Sequence, residues 1–343
     1  MTLDSDVNEA ELARSAAAGQ PEAQFAYGLA LLAGERAAAE GLRGIELVEG
    51  ASGQGHADAM AVCALFEAIG VARPQSWPRA LDRLQLAAER GSTNAQGQLL
   101  TLAERGLGEG SVGRDSDWGE LRARISIEKL LEPPARQLLS DKPRIVAFAG
   151  FATGAECNWV ITKAHDRLKR ATVLRSATGD QTYESVRDNS AIEFQLTHMD
   201  VVLEVLRARI ASATRLPVPI FEPTQVLHYA VGEQFRPHHD FLDPGALGFA
   251  EQLRQFGQRI ATVILYLNAD YTGGETVFPK VGIRYRGDAG DALFFANVDR
   301  AGNPDPLTMH AGTPPSAGQK WIISQWIRDR APHSLDASGA SDQ

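Results

Sequence analysis

The chain has 343 residues, 44% of them hydrophobic, and a net charge of −9, long enough for two domains with cores of their own. The acidic balance argues against a nucleic-acid partner, which would call for a basic surface, and no run of about 18 or more apolar residues exists to span a bilayer. Cys63 and Cys157 fall in different predicted domains, and the start Met1-Thr2-Leu3-Asp4-Ser5-Asp6 has no apolar signal region. Reduced thiols and a cytoplasmic location are therefore expected, with no membrane partner.

Residues 1–8 read as a short polar lead. From about residue 9 the chain turns alanine-rich with helical spacing, and a recurrence of 36 residues emerges: Gly19, Gly55 and Gly91; Ala23, Ala59 and Ala95; Gly34, Gly70 and Gly106. Tyr27, Cys63 and Leu99 share a further phase. Small alanines let two helices approach closely, and glycines turn the chain where a left-handed conformation is needed. Residues 9–108 are thus predicted to be an α-helical repeat solenoid of stacked helix–turn–helix units. Pro74 and Pro78 interrupt the pattern before the third copy.

Residues 109–140 read as a linker with a connecting helix. Leu107 to Asp117 is rich in Gly, Ser and Asp, Trp118 to Leu131 is helical, and Pro133-Pro134 stops that helix. Arg136 to Ser140 suggests one more helical turn. Beyond 140 the pattern changes. A strand is expected at Pro143–Phe148 and a helix at Thr153–Leu168. Strands within 171–195 flank a polar loop carrying Arg187. Val202, Val205, Leu206 and Ile210 mark an amphipathic helix from Met199 to Thr214. Strands follow at Thr224–Tyr229, Ile260–Leu267, Ala292–Ala296 and Trp321–Ile327. Residues 332–343 have the composition of a disordered tail.

The chemistry concentrates in Pro237-His238-His239-Asp240. On a strand, side chains two apart share a face, so His238 and Asp240 can grip one ion while His239 points away. His310 would complete two imidazoles and one carboxylate, the facial set that leaves positions open on non-haem Fe(II). Lys320 stands at the entry of the last strand. A buried lysine needs an anion, and the distal carboxylate of 2-oxoglutarate would serve.

These residues lie in a longer series: Tyr229-x-x-Gly232-x-x-Phe235-x-x-His238-x-Asp240, Leu265-Tyr266-Leu267-Asn268, Gly273-Gly274-Glu275-Thr276-Val277-Phe278-Pro279, Gly290-Asp291-Ala292-Leu293-Phe294-Phe295, and Asp305-Pro306-x-x-x-His310-Ala311-Gly312 through Lys320-Trp321. The series resembles the prolyl 4-hydroxylase branch of the Fe(II)- and 2-oxoglutarate-dependent dioxygenases over residues 141–331. The segment Ala87-Ala88-Glu89-Arg90-Gly91-Ser92-Thr93-Asn94-Ala95 resembles Sel1-like repeats of the tetratricopeptide class.

The first resemblance implies a double-stranded β-helix (jelly-roll) domain with supporting helices, making the whole a multidomain α and β protein. It implies iron at His238, Asp240 and His310, and 2-oxoglutarate at Lys320. Tyr229 would donate a hydroxyl to the cosubstrate, and Tyr266 and Trp326 would stand in the same pocket. Arg187 lies in the loop that closes over substrate in relatives and is a candidate substrate contact, against the alternative of a solvated arginine. The implied reaction is O2-dependent hydroxylation of a prolyl residue in a protein or peptide, giving succinate and CO2, with ascorbate as reductant. The repeats would dock that substrate. Two alternatives remain: the same chemistry on another side chain or a small molecule, or a repeat adaptor that senses oxygen or 2-oxoglutarate.

Overall fold

The structure is a computed structural model and describes residues 3–33, 38–107, 117–174, 181–182 and 187–331. The described residues fall into two compact units, within Met1–Glu132 plus Phe194–Arg209 and within Pro133–Glu193 plus Ile210–Gln343. The centre of the predicted linker, most of the loop before Arg187 and the predicted tail lie outside the described residues.

Up to Glu132 the first unit is helical: α1 (Leu3–Ala17), α2 (Pro21–Leu32), α3 (Ala38–Gly53), α4 (Ala57–Ile69), α5 (Trp77–Glu89), α6 (Thr93–Leu107), α7 (Trp118–Arg124) and α8 (Ile127–Leu131). From α1 to α6 each helix packs on the next. Gly19, Gly55 and Gly91 occupy equivalent turns with φ of 83°, 95° and 91°, a region costly for any side chain with a Cβ. Gly28 and Gly44 let α2 and α3 touch: a Cβ on Gly28 would stand 2.9 Å from the Gly44 carbonyl oxygen. Val48, Ala51, Ala59, Cys63 and Phe66 form a core between α3 and α4.

Several local expectations change. The first helix begins at Leu3, so most of the polar lead is helical. Pro78 sits in the first turn of α5 behind the Ser76 cap, where a proline costs no hydrogen bond. Gly106 lies inside α6 rather than in a turn. The single connecting helix is two, because the Ser126 hydroxyl accepts from the Lys129 N–H and caps a new start. Arg136–Asp141 is a strand, not a helical turn: it pairs antiparallel with Arg144–Phe148, a tertiary partner that overrides local propensity.

The second unit contains β1 (Arg136–Asp141), β2 (Arg144–Phe148), α9 (Gly154–His165), β3 (Lys169–Arg170), β4 (Val173–Leu174), β5 (Gln181–Thr182) and β6 (Ser190–Phe194). After α10 (Val201–Thr214) come β7 (Thr224–Tyr229), β8 (Phe235–His238), α11 (Ala250–Phe256), β9 (Arg259–Tyr266), β10 (Thr272–Gly273), β11 (Thr276–Phe278), β12 (Ile283–Tyr285), β13 (Ala292–Ala296), β14 (His310–Gly312), β15 (Pro315–Ala317) and β16 (Lys320–Arg328). One sheet has the order β1-β2-β13-β9-β16-β7-β6-β3 and a second the order β12-β11-β14-β8. Their inner faces meet in one core, with Phe278 of the small sheet edge-on to Phe295 of the large one at 5.1 Å. Two antiparallel sheets closed on a shared core form the expected jelly-roll arrangement.

The apolar run of β9 is buried on both faces from Ala261 to Tyr266, which is why it shows no alternation. Behind it lies α9, whose Thr153–Glu156 capping box fixes its start and whose Cys157 thiol lies 3.9 Å from the Tyr266 carbonyl oxygen. Both cysteines are buried thiols outside any disulfide.

Candidate active site

The site sits between the two sheets. His238 ends β8 and His310 opens β14, and the two are direct partners in the antiparallel ladder. Their rings stand 4.3 Å apart. Asp240 lies beyond the end of β8, in a bend. The pleat argument therefore accounts for His238 but not for the aspartate, which a side-chain bond holds: the Thr262 hydroxyl donates to Asp240 Oδ2 at 2.7 Å. His238 Nε2 lies 3.5 Å from Asp240 Oδ1, and His310 Nε2 lies 3.5 Å from Asp240 Oδ2. One donor atom from each residue falls within 4.8 Å of the others. His239 turns away, its Nε2 meeting the Pro306 carbonyl oxygen and its ring stacking on Phe241.

The donor chemistry fits a divalent iron. His238 Nδ1 stands 2.7 Å from the Arg236 carbonyl oxygen, and His310 Nδ1 stands 3.0 Å from that of Thr308. A carbonyl oxygen only accepts, so each Nδ1 carries a proton and each Nε2 lone pair is free for a metal. Burial pushes the His310 imidazole down to about 4, against the pull of Asp240, so it is neutral at pH 7. Burial alone would raise the Asp240 carboxyl. His310, His238 and the Thr262 hydroxyl outweigh it and hold the group far below the usual carboxylate range.

From the metal-ligand cluster the pocket runs to Lys320. Lys320 is 1% exposed, and its Nζ lies over the rings of Tyr229 at 5.2 Å and Tyr266 at 5.6 Å. Among the described residues no carboxylate reaches ion-pair distance. Burial pushes the ammonium down to about 7, with distant Glu275 pulling the other way. This is a cation site lacking its anion. Tyr229 lines the pocket and is pushed up to about 12 by burial, so it is a neutral hydroxyl. Tyr266 stands one layer back and shares a hydrogen bond of 2.8 Å with the Thr276 hydroxyl, and Thr276 reaches the pocket wall. Sequence reasoning passed over Thr276. Its signal was a polar residue inside the Gly273–Pro279 motif.

Trp326 lines the same pocket as Lys320, and its place along the wall follows from the strand. Even-numbered residues of β16 face the pocket, with Lys320, Ile322, Ser324 and Trp326 along one wall. Six steps along the strand separate Lys320 from Trp326, about 20 Å. The indole therefore stands at the end away from Lys320, covered by the Arg259 guanidinium at 3.7 Å. Arg259 in turn forms a two-pronged pair with Glu222 at 2.6 and 2.8 Å. The indole N–H is buried without a hydrogen-bond partner.

Arg187 is not a solvated arginine. It is 5% exposed, donates to Asn189 Oδ1 at 3.0 Å and to the Thr172 carbonyl oxygen at 3.2 Å, and lies over the Phe235 ring at 4.8 Å. Phe235 itself stacks on His238 with ring centres 3.5 Å apart. A polar loop position hid this burial, because the partners come from β8 and the segment around Thr172.

Residues 224–328 match the model of the 2OG-Fe(II) oxygenase superfamily. The chain is 35% identical over 211 residues to prolyl 4-hydroxylase 5 of Arabidopsis thaliana, covering 56% of this chain and 70% of that protein. It is 35% identical over 202 residues to the prolyl 4-hydroxylase subunit alpha-1 of Bos taurus, covering 59% of this chain and 37% of that subunit. Among solved structures, the 2OG complex of the viral collagen prolyl hydroxylase vCPH from Paramecium Bursaria Chlorella virus-1 aligns over 55% of this chain and 98% of that chain, with 26% identity and a TM-score of 0.41.

Proposed function

Given that the chain belongs to the 2OG-Fe(II) oxygenase superfamily, as a prolyl 4-hydroxylase-like dioxygenase using Fe(II) and 2-oxoglutarate, we propose that it hydroxylates a prolyl residue of a protein or peptide. One observation carries the reading of the site: two imidazoles and a carboxylate converge at one point of a pocket that ends on a buried lysine without an anion.

In this reading His238, Asp240 and His310 hold the iron. An iron held there would supply the redox chemistry for converting O2 and 2-oxoglutarate to succinate and CO2 with hydroxylation of a C–H bond. The protein's work is positional. Lys320 pairs with the distal carboxylate of 2-oxoglutarate, Tyr229 and Thr276 offer hydroxyls beside it, and Tyr266 holds Thr276 in place. Apolar walls of Leu227, Ile264 and Ile322 exclude water between anion and metal. Trp326, at the far end, faces the substrate and not the cosubstrate. Arg187 acts from behind Phe235, and the burial of its guanidinium favours that role over a direct substrate contact.

The recurrence of Gly19, Gly55 and Gly91 in left-handed turns supports reading residues 9–108 as Sel1-like repeats. We assign them to docking of the macromolecular substrate, the part of 109–140 that precedes β1 to a connector, and β1 together with 141–331 to the catalytic domain. Ascorbate is the proposed reductant. Two buried cysteine thiols outside any disulfide favour a reducing compartment such as the cytoplasm.

The test is succinate release by the purified protein with Fe(II), ascorbate and 2-oxoglutarate, with and without proline-containing peptides, each peptide weighed by mass spectrometry. Stimulated release with a gain of one oxygen atom is expected. Basal release with every peptide unaltered would move the substrate to another class.

A further inference from the structure

We propose that Thr262 and Asn297 are positioning residues that aim the Asp240 carboxylate at the metal, and that Asn297 ties this aim to the segment carrying His310. The inference rests on the reading of His238, Asp240 and His310 as ligands.

Asp240 needs such a device. It lies past the end of β8, where no ladder bond sets its place. Its surroundings are closed: Asp240 is 4% exposed, Thr262 1% and Asn297 0%. Thr262 projects from β9 with one O–H, and that proton goes to Asp240 Oδ2 at 2.7 Å. An ionised carboxylate only accepts, so the direction of this bond is forced. The Thr262 oxygen must then act as acceptor toward its other neighbour, and Asn297 Nδ2 donates to it at 2.9 Å. The polarity of the chain is therefore set throughout, from amide to hydroxyl to carboxylate. Its consequence is visible at the far end. With Nδ2 committed to Thr262, Asn297 Oδ1 is left buried without a hydrogen-bond partner. A buried carbonyl oxygen in that state is costly, so the amide is oriented in favour of Thr262 and not of its own pairing. Asp240 Oδ1, the oxygen beside His238, is left without a hydroxyl donor.

The backbone of Asn297 makes a second arm. Its N–H donates to the Ile260 carbonyl oxygen at 2.8 Å, and its carbonyl accepts from the Asp305 N–H at 3.0 Å. Asp305 accepts from the Leu307 N–H through its carboxylate at 2.9 Å, and its carbonyl accepts from the Thr308 hydroxyl at 2.7 Å. The Thr308 carbonyl then fixes His310 Nδ1 at 3.0 Å. One asparagine thus joins the orientation of two donors that arrive on different segments of the chain.

The experiment is an equilibrium titration of the full-length metal-free protein with Mn(II), read by electron paramagnetic resonance, with near-UV circular dichroism as the check on folding. Thr262→Val replaces the hydroxyl by a methyl of the same shape, and Thr262→Ser keeps the hydroxyl. Loss of such an outer partner lowers metal affinity by about 10–100-fold. That loss is expected in Thr262→Val and in Asn297→Ala, with Thr262→Ser close to wild type. The double variant Thr262→Val/Asn297→Ala should be no weaker than the weaker single, because both break one chain. Asp240→Ala marks the ligand reading itself: if it binds Mn(II) like wild type, that reading falls and this inference with it. If Asp240→Ala loses binding while Thr262→Val keeps wild-type affinity, only the positioning role is overturned. Equal loss in Thr262→Ser and Thr262→Val would also overturn it, by making the site one of packing. Should Asn297→Ala fail to fold, the Val and Ser pair decides alone.

Discussion

His238 and His310, far apart in the chain, face each other as ladder partners of β8 and β14 with their rings 4.3 Å apart. Each offers Nε2 because each spends its Nδ1 proton on a backbone carbonyl. Removing one imidazole leaves a bidentate site for an ion that needs at least three protein donors to be held on one face. His310→Ala is expected to abolish iron-dependent succinate release; retained turnover in that assay would break the triad.

Lys320 gives a second prediction. Lys320→Ala should raise the KM for 2-oxoglutarate sharply and leave Mn(II) affinity near wild type, since Nζ lies at the other end of the pocket from the ligand cluster. An unaltered cosubstrate KM would remove Lys320 from its role.

The same lysine sets a pH dependence. Its folded-state value is about 7, below the ordinary 10.5, because burial disfavours the ammonium. A 2-oxoglutarate carboxylate selects the protonated form. Binding of 2-oxoglutarate should therefore weaken as pH rises above about 7, by up to tenfold per unit. Stability runs the other way. Between about 7 and 10.5 the unfolded chain binds the extra proton, so this group makes the metal-free, cosubstrate-free protein gain stability as pH rises through that window, and the gain is absent below it. Thermal melts across pH 6.5–9 should show this slope in wild type and lose it in Lys320→Met.

Trp326 separates cosubstrate from substrate. Trp326→Phe should leave 2-oxoglutarate KM and peptide-free succinate release near wild type and lower peptide-stimulated turnover. A raised 2-oxoglutarate KM instead would return the indole to the cosubstrate end of the pocket.

Gly91 tests the turns of the helical unit. It has φ of 91°, and nothing lies within 4 Å of the place a Cβ would take. Gly91→Ala therefore measures backbone strain alone, about 1–2 kcal/mol, visible as a lower unfolding midpoint in urea. An unchanged midpoint would show that the turn does not need the left-handed geometry.

Much of this protein was legible in one dimension, for identifiable reasons. Strand β13 matches its expected bounds because a short apolar run between turn residues carries its own signal, and β7 matches as well although only half of its residues are apolar. The convergence of His238, Asp240 and His310 was legible because the three stand in one long series of family-like motifs, and the burial of Lys320 because it enters an apolar strand. Gly19, Gly55, Gly70 and Gly91 declared their turns through spacing, since a left-handed φ selects glycine locally, whereas Gly106 lies inside α6 and Gly34 outside the described residues.

What the tertiary structure decided is everything that depends on a partner remote in sequence. Arg136–Asp141 is a strand because Arg144–Phe148 lies beside it. Arg187 is buried because Phe235 and the Thr172 carbonyl receive it. Trp326 belongs to the far end of the pocket because strand geometry carries it away from Lys320. Asp240, named at once from its neighbour His238, owes its aim to Thr262 and Asn297, on two other strands' worth of chain. Local sequence determines which donors exist and which turns are possible, because those follow from single side chains and single dihedrals. The direction in which each donor points is a property of hydrogen bonds closed across the fold, and only packing brings their two halves together.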